Sequence, residues 1–130
     1  MTQQLYQQRC TACRRDSPHV TVEEIGQLRP EIPDWELLDE AGVPKLDRSF
    51  KFRDFEQALA FTNAIGQLAE AEGHHPKLTT EWGSVGVTWW THKIRNLHTN
   101  DFVMAAKTDR IYGELTPTKA ESETESKATS

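Results

Sequence analysis

The stretch DFEQALAFTNAIGQLAEAEG, residues 54–73, predicts the longest helix of the chain. Asp54 is a favourable N-cap, and Gly73 suits the left-handed position at which many helices end. Pro76 then opposes any continuation of the helix. The apolar residues expected on its core-facing stripe are Phe55, Ala58, Leu59, Ile65, Leu68 and Ala69, with Phe61 near the edge.

The segment before this helix predicts a β-hairpin. Its arms are residues 34–39 and 45–52, and EAGVP, which contains Gly42 and Pro44, is the expected turn. The second arm alternates between apolar and polar residues, so one face is expected to pack and the other to remain polar. Leu46, Phe50 and Phe52 are the residues predicted on the packed face.

The segment after the helix predicts a second hairpin, with arms near 78–83 and 85–94 and Gly83 near the turn. Successive side chains of a strand point to opposite faces of the sheet. The longer arm therefore divides into two sets. Val85, Val87 and Trp89 are expected to face the helix, and Gly86, Thr88, Trp90 and His92 to face away from it.

A shorter helix is predicted at each end of this unit. Thr21 and Glu24 form a capping-box pattern for a helix over 22–29, which Pro30 is expected to stop. Val22, Ile25 and Leu28 share one stripe of that helix. The last helix is expected over 100–112, with Thr99 or Asn100 as its cap and Gly113 as its terminator.

The order of these elements is α-β-β-α-β-β-α. It predicts an α+β fold, a two-layer sandwich in which a four-stranded antiparallel sheet carries its helices on one face. We expect one domain over residues 20–113, preceded by a polar lead-in over 1–19. Residues 114–130 contain too few large apolar side chains to form a core and are expected to be a disordered tail.

Composition excludes several classes of function. The chain has 130 residues and a formal charge of −5, which disfavours a general nucleic-acid binder. No segment is apolar enough for a membrane span, and the polar start has no secretory signal, so we expect a cytoplasmic protein. Cys10 and Cys13 form a lone CxxC, which we interpret as reduced thiols without an assigned role.

The candidate chemistry lies in EGHHPKLTTEW, residues 72–82, and in the strand that follows. His74, His75 and His92 lie between two acidic residues, Glu70 and Asp101. Imidazole can take and give a proton near neutral pH, so general acid–base catalysis is one interpretation. A zinc site built from the three histidines and exposed or structural histidines are the alternatives. His19 and His98 carry no functional signal.

The spacing of these residues resembles the signature of the pterin-4a-carbinolamine dehydratases. The matching anchors are Glu70, HHP at 74–76, Trp82, His92 and Asp101, and the likeness to bacterial members extends over about residues 8–112. The resemblance implies a metal-independent hydro-lyase that dehydrates 4a-hydroxytetrahydropterin to quinonoid dihydropterin. It also implies that the pterin is the substrate and that the protein needs no cofactor.

The resemblance further assigns residue roles. It implies that His74 and His92 are the main acid–base pair and that His75 binds the pterin and assists. With these roles, Glu70 is expected to support His74, and Asp101 is expected to support His92 or the loop that carries it. His75, Pro76 and Trp90 are the expected substrate-binding residues.

The same resemblance implies partners. Relatives are homodimers or homotetramers, and bacterial members work with phenylalanine hydroxylase, whose pterin cofactor they recycle. Animal relatives also act as dimerisation cofactors of a transcription factor. A regulatory or interaction protein acting on a hydroxylase or its expression is therefore the alternative function.

Overall fold

The structure, a computed structural model, describes residues 5–7 and 19–115. The expected tail beyond residue 115, most of the lead-in and the CxxC lie outside these described residues. In chain order the elements are α1 (Val22–Leu28), β1 (Glu36–Glu40), β2 (Val43–Lys51), α2 (Phe55–Glu72), β3 (Lys77–Glu81), β4 (Ser84–Trp89) and α3 (Thr99–Leu115), with short 3-10 helices at Leu5–Gln7 and Arg29–Glu31.

The four strands form one antiparallel sheet in the order β1-β2-β4-β3. Helices α2 and α3 pack on each other and on the same face of the sheet. Val85, Val87 and Trp89 are fully buried on that face, as their alternation along β4 predicts. The predicted α+β sandwich is therefore confirmed.

The first hairpin turns more tightly than predicted. Its turn consists of Ala41 and Gly42, with φ values of 51° and 82°. Positive φ at both central residues matches the twist of the adjoining strands, and glycine adopts it without steric cost. Pro44 lies inside β2 and not in the turn. At Pro44 the only neighbouring strand is β1, because β4 pairs with β2 from Leu46 onward. The missing N–H of proline therefore breaks no hydrogen bond to β4.

Helix α2 buries a narrower stripe than predicted. Asp54 caps it by accepting a hydrogen bond from the backbone N–H of Gln57 at 2.8 Å, as expected. Phe61 is completely buried, with ring centroids 4.9 Å from Phe50 and 5.1 Å from Phe52, so it lies at the core and not at the edge. The expected core residues Phe55 and Leu59 are instead 45% and 43% exposed.

The two outer helices also differ in detail from the prediction. The capping box of Thr21 and Glu24 is present, but Val22 is 85% exposed and does not share the packed stripe. Helix α1 ends at Leu28, just before Pro30 as predicted, and Pro30 itself lies in the 3-10 helix that follows. Helix α3 continues through Gly113, because an exposed glycine at that position weakens a helix without terminating it.

A polar cluster holds the middle of α3 to the sheet. Asp109 Oδ1 accepts hydrogen bonds from Trp35 Nε1 (2.8 Å) and Arg48 Nη1 (2.7 Å). Burial raises the pKa of Asp109, while the hydrogen bonds from Trp35 and Arg48 act in the opposite direction. The cluster fixes the position of α3 along the sheet, and with it the residues at the start of that helix.

The core reaches beyond the expected domain bounds, since Leu5 is 1% exposed and belongs to it. Among the described residues, none of the helices has the length and apolar character that a membrane crossing requires.

Candidate active site

Three chain segments meet at one end of the sheet. They are the end of α2 with the loop that carries His74, the end of β4 with Thr91, and the start of α3 with Asp101. The Asp101 carboxylate joins all three, because its partners come from each segment.

Asp101 is completely buried and accepts three hydrogen bonds. Oδ1 lies 2.6 Å from His74 Nε2, and Oδ2 accepts from Thr91 Oγ1 (2.7 Å) and from the backbone N–H of His98 (2.9 Å). An ionised carboxylate only accepts hydrogen bonds, so three donors suit it. Its place in the first turn of α3 adds a favourable helix-dipole interaction.

His74 is held from several directions. Gly73 adopts the left-handed conformation, with φ of 67°, and the backbone N–H of His74 donates to Ala69 O at 3.1 Å. The imidazole lies parallel to the Trp89 indole, with centroids 5.7 Å apart and planes inclined by 6°. A carboxylate accepts hydrogen bonds and does not donate them, so we assign the proton of this contact to His74 Nε2, which leaves Nδ1 outside the pair.

His75 points the other way and is exposed. Its Nε2 lies 2.6 Å from Glu70 Oε2, and both side chains are more than half exposed. The expected pairing of Glu70 with His74 is therefore wrong. Asp101 binds His74 and not the His92 ring, but it accepts a hydrogen bond from Thr91 and so supports the loop that carries His92, which was the other form of the expectation. The two adjacent imidazoles therefore contact different carboxylates, and only His74 reaches Asp101. Pro76 follows, half-buried, directly before β3.

His92 lies just beyond β4 in a short turn. The Thr91–Asn96 bridge closes this turn, and the backbone N–H of Arg95 donates to His92 O at 3.2 Å. The His92 side chain is exposed, and its ring stacks on Trp90 with centroids 4.3 Å apart. Thr91, the preceding residue, donates to the carboxylate that also holds His74, so the backbone at His92 lies near the His74 site.

The zinc site considered as an alternative would need His74, His75 and His92 around one ion. Within residues 5–7 and 19–115, no three His, Cys, Asp or Glu side chains are grouped so that they could hold a metal ion. Oδ1 and Oδ2 of Asp101 are also both occupied by hydrogen-bond donors, and His75 lies on the exposed side of the loop.

Two residues of the site, Thr91 and His98, were not predicted from the sequence. His98 occupies the N-cap of α3: its Nδ1 accepts from the backbone N–H of Asn100 at 3.0 Å, while its own N–H donates to Asp101. The spacing of His98 three residues before Asp101 is that of a capping box and could have indicated this role. Thr91 had no such signal, because its contact with Asp101 is tertiary.

His98 makes the stability of the site depend on pH. Burial lowers the pKa of His98, and Nδ1 can accept the capping hydrogen bond only while it is unprotonated. As the pH falls, the unfolded chain therefore binds a proton at His98 at a higher pH than the folded chain does. The contribution of His98 to the free energy of unfolding is present above about pH 6.5 and is lost as the pH falls toward the pKa of His98 in the folded state.

We expect His98→Asn to reduce the loss of unfolding free energy between pH 7.5 and pH 5, because asparagine caps a helix without titrating. Denaturant unfolding of both proteins at the two pH values measures the difference. An equal loss in wild type and variant would show that His98 does not carry this pH dependence.

Comparisons with known proteins show which family the chain belongs to. The family model described as "Pterin 4 alpha carbinolamine dehydratase" matches residues 18–111. A provisionally named pterin-4-alpha-carbinolamine dehydratase 1 of Gloeobacter violaceus is 59% identical over 111 residues, covering 85% of this chain and 96% of the relative. One of the same provisional name from Saccharophagus degradans is 60% identical over 108 residues, covering 83% and 96%.

A solved structure is also similar. It is titled as a transcriptional coactivator/pterin dehydratase from Brucella melitensis, and it is 30% identical with a TM-score of 0.67. The match covers 74% of this chain and 100% of that one. The sequence, the fold and these matches show that this chain belongs to the pterin-4-alpha-carbinolamine dehydratase family.

Proposed function

We propose that this chain dehydrates 4a-hydroxytetrahydropterin to quinonoid dihydropterin by general acid–base catalysis with its own histidines. Family membership supports the dehydratase activity. The single observation that carries the mechanism is the buried His74–Asp101 pair, whose carboxylate also holds Thr91, the neighbour of His92.

The reaction needs one proton removed and one delivered. A base takes the proton from N5 of the pterin, the C4a–O bond breaks, and an acid protonates the departing hydroxyl so that water leaves. Imidazoles perform both tasks near neutral pH, each worth roughly 10²–10⁴-fold. His74 and His92 divide these two roles.

In this mechanism Asp101 sets the tautomer of His74 and stabilises its charged form. The carboxylate fixes the tautomer in which Nε2 carries the proton and Nδ1 is available. It also stabilises the imidazolium that forms when Nδ1 accepts a proton, as a carboxylate does behind a catalytic histidine. The stacked Trp89 indole and the Trp89 Nε1–H bond to Thr108 Oγ1 (3.1 Å) hold the ring plane.

His75, supported by Glu70, and Pro76 line the pterin on the outer side of the loop in this proposal. An exposed His–Glu pair contributes little to stability, which leaves both side chains free to rearrange around a ligand. The pterin is the substrate, so the proposed site uses no resident cofactor. We extend the proposal to a cytoplasmic homodimer or homotetramer that recycles the cofactor of phenylalanine hydroxylase.

Spectrophotometric dehydration of chemically generated 4a-hydroxytetrahydropterin tests the activity. Wild-type protein, dialysed against a chelator, is expected to accelerate loss of the carbinolamine and to keep its rate after the treatment. Absence of acceleration would refute the dehydratase, and a loss of rate that zinc restores would favour the metal-dependent alternative.

A regulatory or interaction role is the second candidate, favoured by the similarity to the Brucella protein, which is described as a transcriptional coactivator as well as a pterin dehydratase. In that case the helices and not the histidines would matter. Calorimetric binding to a purified phenylalanine hydroxylase that survives His74→Ala, but is lost when the exposed Phe55 is changed to serine, would support this role.

A further inference from the structure

The three candidate histidines differ in how their rings are held. His74 and His75 each have a carboxylate at 2.6 Å. Within the described residues, the ring of His92 has no hydrogen-bond partner. Its contact is the Trp90 indole, with centroids 4.3 Å apart and planes inclined by 19°. The orientation of this imidazole therefore depends on stacking.

Trp90 is itself held by a neighbouring strand. The register of β2 and β4 places Leu46 opposite Trp89, so Lys45 is the next residue along β2 and lies beside Trp90. Lys45 Nζ lies 4.0 Å from the centroid of the Trp90 ring, a cation–π distance. This contact is on the sheet face opposite the helices.

Lys45 is anchored in turn by β1. Its Nζ forms an ion pair with Glu40 Oε1 at 2.7 Å, and the side chain is only 13% exposed. The hydrogen bond from Lys45, and its charge, lower the pKa of Glu40, which keeps the pair ionised. A continuous row of four side chains thus crosses the outer sheet face: Glu40, Lys45, Trp90 and His92.

We propose that Trp90 and Lys45 are positioning residues for His92 and that this row sets the ring orientation needed for proton transfer. The inference rests on the proposed function of His92. It assigns to Trp90 a role that acts through His92, and not the direct contact with the pterin expected from the sequence. Misplacing a catalytic group lowers kcat and largely preserves substrate binding, because the geometry of that group matters most in the transition state.

A double-mutant cycle separates the two roles of Trp90. Trp90→Leu in the wild-type background is expected to lower kcat by roughly 10- to 100-fold with a small change in KM. In a His92→Ala background, the same change is expected to have no further effect. Trp90→Phe, which keeps a flat ring, is expected to restore most of kcat, and Leu59→Ala on the exposed surface of α2 is the control. An equal loss of kcat in both backgrounds would overturn the proposal.

A second readout does not depend on activity. The Cε1 proton of His92 is shielded by the stacked indole, so its NMR signal is expected to move downfield in Trp90→Leu but not in Trp90→Phe. An unmoved signal would contradict the stacking role. If wild type does not dehydrate the pterin, the proposed function fails, while this signal still decides whether Trp90 holds His92.

Lys45→Met serves as a second test should Trp90→Leu fail to fold. Methionine keeps an unbranched stem but removes the charge over the indole. We expect a smaller fall in kcat in the same direction, absent in the His92→Ala background. A fall of equal size in both backgrounds would show that Lys45 acts elsewhere.

Discussion

His74→Ala is expected to lower kcat for pterin dehydration by roughly 10²–10⁴-fold, the range of a lost general acid or base. His74 is 8% exposed and its Nε2 lies 2.6 Å from the buried Asp101 carboxylate, so alanine removes both the proton carrier and a partner of Asp101. KM should change less, because proton transfer takes place in the transition state.

Stability must be measured beside the rate. Removing one partner of a buried hydrogen bond costs about 1–3 kcal/mol, so the variant is expected to melt at a lower temperature and still fold. His19→Ala, at an exposed histidine whose Nδ1 lies 2.8 Å from the backbone O of Val20, is the control and should keep the wild-type rate. A folded His74→Ala protein with undiminished kcat would remove His74 from the mechanism.

Asp101→Asn is expected to lower kcat by about 10²-fold or more through the tautomer of His74. The amide places either an N–H donor or a less basic carbonyl oxygen against Nε2. With the donor there, His74 must carry its proton on Nδ1, the nitrogen proposed to act on the pterin. A buried carboxylate replaced behind a catalytic histidine has this consequence in serine proteases, where the effect is about 10⁴-fold.

Asp47→Asn is the matched control for this substitution. Asp47 Oδ1 accepts a hydrogen bond from Thr88 Oγ1 at 2.6 Å on the outer sheet face, so the same chemical change occurs outside the site. Nitrogen-15 NMR of the His74 ring should show the proton on Nε2 in wild type and on Nδ1 in Asp101→Asn. An unchanged tautomer together with a lost rate would mean that Asp101 acts in another way.

The order of elements was predictable because local signals agree with the final fold. Asp54 caps α2 as its sequence context indicates, and the alternation in β4 places Val87 and Trp89 in the core. The turn at Ala41 and Gly42 was not predictable from composition, since Pro44 also resembles a turn residue. Pro44 can lie in β2 because β4 pairs with β2 only from Leu46 onward, which local sequence does not reveal.

The site was only partly predictable, because its contacts also depend on tertiary neighbours. His74 and Asp101 were both singled out, but their contact joins residues 27 positions apart and depends on how α3 is seated. The left-handed turn at Gly73 decides which of two adjacent histidines faces inward. Glu70 was expected to support His74, whereas in the structure it contacts His75.

The central claim is that His74 and His92 act together on one pterin. The most direct measurement is the rate of carbinolamine loss with wild type, each single alanine variant and the His74→Ala/His92→Ala protein, under metal-depleted conditions. We predict that the double variant approaches the uncatalysed rate and falls little below the slower single variant. A double variant that retains the wild-type rate would contradict the account.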